Sequence, residues 1–221
     1  MGDIGTGELL LTKKKQSYVL TLIVIFILLA FLIFFYFFAF VPIEGDSMEN
    51  TIFDKQYCLA QRKCNTICRG DIVIIDVADK NAKASHDIVK RVIGISGDKL
   101  IFMQDEDVRY VDVYICKNGE NRFKRVNEPY IKERMKYANM NFNNDYFNDN
   151  IIMQYDPDLT SYNLDNTLDS DIYDKVIKAT IIIPDGNVFF LGDNRNVSRD
   201  SRYYGTRPLS QIKYKVLSVI Y

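Results

Sequence analysis

The sequence predicts a mainly β domain behind a single N-terminal transmembrane helix. The helix is indicated by residues 16–43, a stretch of 28 residues that carries no charge and consists mostly of Leu, Ile, Val and Phe. The β domain is indicated by the rest of the chain, in which short runs of β-branched and aromatic residues alternate with turn signals. No long amphipathic helical pattern follows the apolar stretch.

The apolar stretch is long enough to cross a bilayer. A helix rises about 1.5 Å per residue, so roughly 20 residues cross the ~30 Å hydrocarbon core. A cleavable signal peptide is the alternative, but its apolar region would have roughly 7–15 residues and end at a small-residue cleavage site. This stretch is longer and ends in bulky residues. We therefore expect a retained transmembrane helix at residues 17–41, after a short cytoplasmic segment at residues 1–16.

Three basic residues set the expected orientation of that helix. Lys13, Lys14 and Lys15 lie just before the apolar stretch, and basic residues beside a first helix tend to stay in the cytoplasm. We therefore expect a single-pass protein of the plasma membrane, with membrane lipid as a partner. Residues 42–221 then form an extracytoplasmic domain of ordinary single-domain size. The net charge of −1 gives no reason to expect a nucleic acid partner.

The cysteines do not match a metal site. Cys58, Cys64, Cys68 and Cys116 have no zinc spacing, and His86 is the only histidine in the sequence. We predict no metal and no cofactor. An oxidising compartment would permit a disulfide within residues 58–68, and free, partly buried thiols are an equal alternative.

The outer domain reads as a series of short strands. Turn sequences such as Arg69-Gly70-Asp71 and Asn118-Gly119 separate them, and the second predicts a hairpin. Residues 137–174 are rich in Asn and Asp and are interpreted as a surface insertion or long loop. The predicted strands cover residues 72–75, 88–95, 111–116, 123–126, 179–183, 188–191 and 214–221.

Ser47 lies four positions beyond the apolar stretch and is the candidate nucleophile. A serine hydroxyl needs a neighbouring base, and His86 is a weak candidate because no Gly-x-Ser-x-Gly elbow is present. Lys90 is the better candidate. On a strand it shares a face with Ile88 and Val92, and burial of that face would lower its pKa from about 10.4 to ~8, at roughly 3 kcal/mol. An ordinary lysine on an exposed edge strand is the structural alternative.

A polar loop at residues 192–205 follows an apolar strand and could complete a site. Ser198 could orient a lysine amine, and Asp200 with Arg202 could form a charge pair that holds the loop. A solvated turn with chance charges is the alternative.

Taken together, these segments resemble the ordered boxes of the bacterial type I signal peptidases, in a Gram-positive-like form. They occur in the family order behind a similar anchor, and Asn-Glu-Pro-Tyr-Ile at residues 127–131 also resembles a family segment. The resemblance implies an antiparallel, barrel-like β domain that removes signal peptides from exported preproteins. The matching segments are residues 45–48, 69–73, 89–94 with 97–98, and 192–205.

The resemblance also implies a role for each matching residue. Ser47 would be the nucleophile, Lys90 the general base, and Ser198 the residue that positions the lysine amine. The Ser47 backbone N–H would donate to the oxyanion. Three residues would support the site, namely Arg91, Asp200 and Arg202, and three would contribute to substrate binding, namely Gly45, Asp46 and Met48.

Three departures from the family pattern are visible. Gly45 stands where some members have a serine that donates to the oxyanion, so no second side-chain donor is identifiable. Asn50 stands where proline is usual, which we expect to loosen that turn. The insertion at residues 137–174 has no counterpart. A His86-dependent serine hydrolase and a non-enzymatic, membrane-anchored binding protein are the competing hypotheses.

Overall fold

The computed structural model describes residues 4–62, 64, 66–78, 85–105, 107, 109–140 and 176–220. The chain divides into two compact units, Met1–Ala39 and Phe40–Tyr221. Most of the described residues of the first unit form one helix, and the second unit contains nearly all of the β structure.

The helix α1 spans Ile4–Phe37, and within it Lys15–Phe37 is long and apolar enough to cross a membrane. No other helix among the described residues meets that criterion. The observed helix therefore begins before the predicted residue 17 and ends before the predicted residue 41. Helix-forming residues before position 17 extend α1 towards the N-terminus. After Phe37 the chain is extended as strand β1, which ends at Pro42.

Within the described residues, twelve strands follow α1, and they form two sheets. The strands are β1 Phe38–Pro42, β2 Tyr57–Arg62, β3 Ile72–Val77, β4 His86–Ile95, β5 Lys99–Gln104, β6 Tyr110–Cys116, β7 Lys124–Arg125, β8 Met135–Lys136, β9 Val176–Ile182, β10 Asn187–Leu191, β11 Arg207–Pro208 and β12 Ile212–Ile220. A short helix α2, Ser201–Tyr204, precedes β11.

The larger sheet has seven strands in the order β1-β2-β12-β3-β4-β10-β11. The smaller sheet has the order β7-β6-β5-β9, and β8 also pairs with β6. In the larger sheet, each pair of neighbouring strands in the spatial order β2-β12-β3-β4-β10-β11 is antiparallel. The strand pairs of the smaller sheet are also antiparallel. The prediction of a mainly β, antiparallel domain is therefore confirmed.

All seven predicted strands are present, with boundaries that differ by a few residues. The predicted hairpin forms, since Tyr114 pairs with Arg125 on either side of the turn at Gly119. Five strands were not predicted from the sequence, namely β1, β2, β5 and the two-residue strands β8 and β11. Strand β2 buries the small residues Cys58 and Ala60, which give a weak apolar signal. Strand β5 begins directly after the turn that was interpreted as the end of β4.

Two apolar clusters fix the strands that carry the site. One joins the two sheets and includes Ile93 of β4, Phe102 of β5 and Phe189 of β10. The other lies beside the turn after β1 and includes Met48 and Val89. Because residues on both faces of β4 are buried, this strand is held from two sides.

The turn at residues 69–71 is structural. Gly70 has a φ of +89°, and the Arg69 guanidinium donates to both carboxylate oxygens of the buried Asp98. Burial opposes ionisation of Asp98, but these bonds and the N–H groups of Ile95 and Asn118 bring its pKa below the usual value. The turn thereby fastens the start of β3 to the turn after β4.

The four cysteines are free thiols in this structure, so the disulfide alternative within residues 58–68 is not formed. Tyr137–Asn139, at the start of the predicted insertion, form a short 3-10 helix. Residues 141–175, which make up the rest of the insertion, lie outside the described residues.

Gly97 lies where the turn after β4 closely approaches Asn118, and a substitution there tests how much this close approach matters for stability. Its φ is +80°, and a Cβ there would collide with the Asn118 side chain, whereas Gly119 has a φ of +83° with open space around it. We expect Gly97→Ala to lower the free energy of unfolding by about 2–4 kcal/mol, and Gly119→Ala by about 1 kcal/mol. Urea unfolding of the full chain in detergent measures both, and equal losses would show that the collision has no cost.

Candidate active site

The structure brings Ser47 and Lys90 into direct contact. Ser47 lies in the turn that follows β1, and Lys90 lies in the middle of β4, 43 residues later. The Lys90 Nζ and Ser47 Oγ atoms are 2.6 Å apart. At this distance the hydroxyl can donate its proton to the amine when the amine is neutral.

The Lys90 amine is held in a dry environment. Its residue is 3% exposed, and Nζ also donates to the carbonyl oxygen of Val89 at 2.7 Å. Burial lowers the pKa of Lys90 to about 8, and the charge of Arg202 acts in the same direction. The carboxylates of Asp200 and Asp193 act in the opposite direction. The burial expected from the strand pattern is therefore found, and a substantial fraction of the amine is neutral near pH 8.

Asp200 and Arg202 form the ion pair that the sequence suggested. The fully buried Asp200 carboxylate accepts from Arg202 Nε and Nη2, both at 2.8 Å, and from the Gly192 N–H at 3.1 Å. Burial would raise the pKa of Asp200, but the Arg202 charge outweighs it and keeps the pKa below the usual value. Asp200 is therefore an anion whose oxygens tie α2 to the loop after β10.

Ser198 lies close to the nucleophile but makes no hydrogen bond to Lys90. Its hydroxyl is buried and has no hydrogen-bond partner within the described part of the chain. It packs against Gly192, where a Cβ would collide with the Ser198 hydroxyl and the Ser47 carbonyl oxygen. The role of Ser198 in orienting the amine therefore stays a prediction, and Gly192 permits the close approach of the loop to Ser47.

Arg91 points away from Lys90 and joins three segments. Its Nε and Nη2 donate to the Asp193 carboxylate at 2.8 and 2.6 Å, and its Nη1 donates to the Gly70 carbonyl at 2.9 Å. Its guanidinium lies 3.9 Å from the centre of the Tyr130 ring. Arg91 thus connects β4 to the turn before β3, to the 192–205 loop and to the 127–131 segment.

The sequence analysis assigned no role to Asp193 or to the buried pair of Arg195 and Glu128. Arg195 is 3% exposed, donates to both Glu128 carboxylate oxygens, and donates through Nε to the Gly192 carbonyl at 3.1 Å. The 127–131 segment was noticed only as a family resemblance. Glu128 and Arg195 are 67 positions apart, so no local pattern indicates the pairing.

The three predicted substrate-binding residues have different surroundings. Gly45 and Asp46 are exposed, and the Gly45 N–H donates to Asp54 Oδ1 at 2.8 Å, with a φ of +90°. Met48 is fully buried in the cluster with Val89. None of the three lines the cleft beside Ser47, so their contacts with substrate remain predictions.

A cleft of about 210 Å³ opens beside Ser47 and Lys90. One wall is Val41–Glu44, and the other is the first half of β4, from Asp87. Strand β10 pairs with β4 only from Arg91 to Ile95, so the first half of β4 has an edge free for another strand in the described structure. A larger cleft of about 450 Å³ lies over β6 and contains neither Ser47 nor Lys90, so we assign the chemistry to the smaller one.

His86 does not reach the candidate nucleophile. It is exposed at the start of β4, and its ring nitrogen lies 3.4 Å from the Tyr204 hydroxyl. Four residues of extended strand separate it from Lys90, a distance of about 13 Å along the chain. The geometry therefore favours Lys90 as the base.

The sequence is similar to known proteins over most of its length. Residues 16–221 match the family model described as signal peptidase, peptidase S26. Signal peptidase I of Bacillus caldolyticus is 29% identical over 179 residues, which cover 81% of this chain and 77% of that protein. Signal peptidase IB of Staphylococcus aureus strain COL is 29% identical over 177 residues, covering 79% of this chain and 73% of that protein.

A solved structure of a signal peptidase I from Enterococcus faecalis V583 aligns with 71% of this chain and with 100% of its own, at 19% identity and a TM-score of 0.37. The family model extends from the apolar helix to the end of the last strand. The chain therefore belongs to the signal peptidase family, peptidase S26, and is a serine peptidase.

Proposed function

We propose that this protein is a membrane-anchored endopeptidase that removes N-terminal signal peptides from exported preproteins, with Ser47 as nucleophile and Lys90 as general base. The observation that carries the proposal is the 2.6 Å contact between Lys90 Nζ and Ser47 Oγ. The relatives named signal peptidase I and IB support preproteins as the substrates.

The reaction is acyl transfer in two steps. Neutral Lys90 takes the Ser47 proton while Oγ attacks the scissile carbonyl carbon, and the resulting ammonium gives that proton to the leaving amine. The mature protein departs with a free N-terminus, and the signal peptide remains as an ester on Ser47. Lys90 then takes a proton from water, whose oxygen attacks the ester carbon, and the resulting ammonium returns that proton to Ser47 Oγ as the signal peptide leaves with a new C-terminal carboxyl group.

The turn that carries Ser47 offers an oxyanion donor. Among the described hydrogen bonds, the Ser47 N–H has no acceptor. The Ser47 carbonyl accepts from the Asn194 N–H at 3.0 Å, which holds the peptide groups around Ser47 in place. A donor that is already oriented stabilises the developing negative charge without reorganisation.

The cleft suits an extended peptide beside the first half of β4. A peptide strand there would form main-chain hydrogen bonds with the free strand edge. Val41, Ile43 and Ile88 give the cleft an apolar lining, and its small volume favours small side chains next to the scissile bond.

Membrane attachment places this chemistry where signal peptides are presented. The apolar part of α1 acts as a single transmembrane anchor, the lysines before it stay in the cytoplasm, and the β domain lies on the opposite side. A signal peptide has an apolar region directly followed by its cleavage site. Ser47 follows the anchor closely in the sequence, which supports cleavage near the lipid surface.

The first prediction concerns the catalytic pair. We expect Ser47→Ala and Lys90→Ala each to lower kcat/KM by roughly 10³-fold or more, because the two groups act as a unit. His86→Ala should retain the rate of the unaltered protein. The measurement is cleavage of a signal-peptide-bearing precursor by purified protein in detergent, with the new N-terminus sequenced. An active Lys90→Ala variant with an inactive His86→Ala variant would establish the histidine hydrolase instead.

The second prediction is a pH dependence. The pKa of Lys90 is lowered to about 8, and the amine must be neutral to act as a base, so log kcat/KM, which reports the free enzyme, should rise with pH below about 8 and level off above it. Single-turnover cleavage between pH 6 and 10 measures the profile. The precursor should carry no titratable side chain near its cleavage site. A flat profile over this range is incompatible with a Lys90 base.

The third prediction concerns topology. Cys68 is exposed and Cys64 is half-buried, whereas Cys58 and Cys116 are buried. A membrane-impermeant maleimide should therefore label intact cells that express the protein, and Cys68→Ser should remove most of that label. Cys58 and Cys116 serve as internal controls that react only after denaturation. Labelling that requires permeabilised cells would mean that the β domain is cytoplasmic.

A further inference from the structure

Asn50 makes a contact that was not expected from its position in the turn after Ser47. Its side-chain Nδ2 donates to the Asp193 carbonyl oxygen at 2.8 Å, although the two residues are 143 positions apart. The expectation that an asparagine here loosens the turn is therefore incomplete. The amide adds a bond from the turn to the loop after β10.

The Asp193 carbonyl oxygen that accepts this hydrogen bond belongs to the peptide group between Asp193 and Asn194, and the N–H of the same peptide group donates to the Ser47 carbonyl oxygen at 3.0 Å. All peptide bonds of the described residues are trans, so the C=O and N–H point in opposite directions from one rigid plane. The turn therefore holds this plane at both ends, through Ser47 and through Asn50.

We propose that Asn50 is a positioning residue for the reaction: together with the Ser47 carbonyl it clamps the peptide group between Asp193 and Asn194 and so holds Ser47 against Lys90. The inference rests on the proposed function of Ser47. The Asn50 bond holds the carbonyl end of this plane directly, in addition to the side-chain bonds that join Thr51 to Asp193 and Asn194 to the Asp46 carbonyl. Bonds to both ends of one peptide group also polarise each other.

Neighbouring contacts show why this plane is a firm support. The Asp193 carboxylate accepts two hydrogen bonds from Arg91 and one from Thr51. The backbone N–H of Asp193 donates to the Met48 sulfur at 3.4 Å. The peptide group is thus tied to β4, which carries Lys90. Asn50 therefore transmits the position of β4 to the turn that carries Ser47. Asn50 does not line the cleft, so its effect should fall on the chemical step rather than on binding.

Two substitutions at position 50 test the proposal. Asn50→Ala removes the donor, and we expect kcat to fall about 3- to 10-fold with KM unchanged, since small displacements of a nucleophile reduce the rate. Asn50→Asp keeps the shape but presents oxygens that only accept, opposite a carbonyl oxygen, so kcat should fall further. Asn121→Ala and Asn121→Asp are the matched controls, because Asn121 is an exposed amide in the β6–β7 hairpin, and both should retain kcat.

The measurements are kcat and KM for precursor cleavage in detergent, well below the thermal midpoint of each variant, together with that midpoint. A merely structural role would lower the midpoint and leave kcat unchanged for the folded protein, which would overturn the proposal. So would an Asn50→Asp variant as active as Asn50→Ala. Ser47→Ala separates the two levels. If it still cleaves, the proposed function fails, whereas an inactive Ser47→Ala with a fully active Asn50→Ala refutes only the positioning role.

Discussion

The structure depends on burying the Lys90 amine away from water beside the Ser47 hydroxyl. Lowering the pKa of Lys90 from 10.5 to about 8 corresponds to about 3 kcal/mol of unfavourable environment for the charged form. That is a large fraction of the stability of an ordinary domain. The packing of β4 between two apolar clusters supplies the dryness and resists the relaxation that would let water in.

A dry amine stays neutral only if the charges around it are balanced. Asp200 would favour the protonated amine, but it is paired with Arg202, and Asp193 is paired with Arg91. Arg195 is likewise paired with Glu128. Each carboxylate accepts several hydrogen bonds, so these buried ions hold their positions. The same ion pairs connect segments that are far apart in the sequence. The residues that balance the charge around Lys90 therefore also hold the 192–205 loop in place.

Much of the fold could be predicted because its signals are local. The apolar helix, the strand with Lys90 and the hairpin at Asn118-Gly119 each show in a few neighbouring residues. Strand β2 was missed since its buried side chains are small, and the C-terminal end of the helix was misplaced because apolar composition does not distinguish a helix from an extended segment. The ion-pair partners of Asp193, Arg195 and Glu128 lie 67 or more positions away in the sequence, so their burial could not be anticipated.

By itself, the sequence determined the long apolar helix, the mainly β character, and the candidacy of Ser47 and Lys90, because chain length, residue periodicity and motif order are properties of neighbouring positions. Only the tertiary structure decided that Lys90 Nζ meets Ser47 Oγ across 43 residues, and that Ser198 packs against Gly192 instead of bonding to the amine. It also decided that Asn50 reaches the Asp193 carbonyl. Such contacts depend on strand register and loop placement within an ångström, which hydrophobic patterning does not specify.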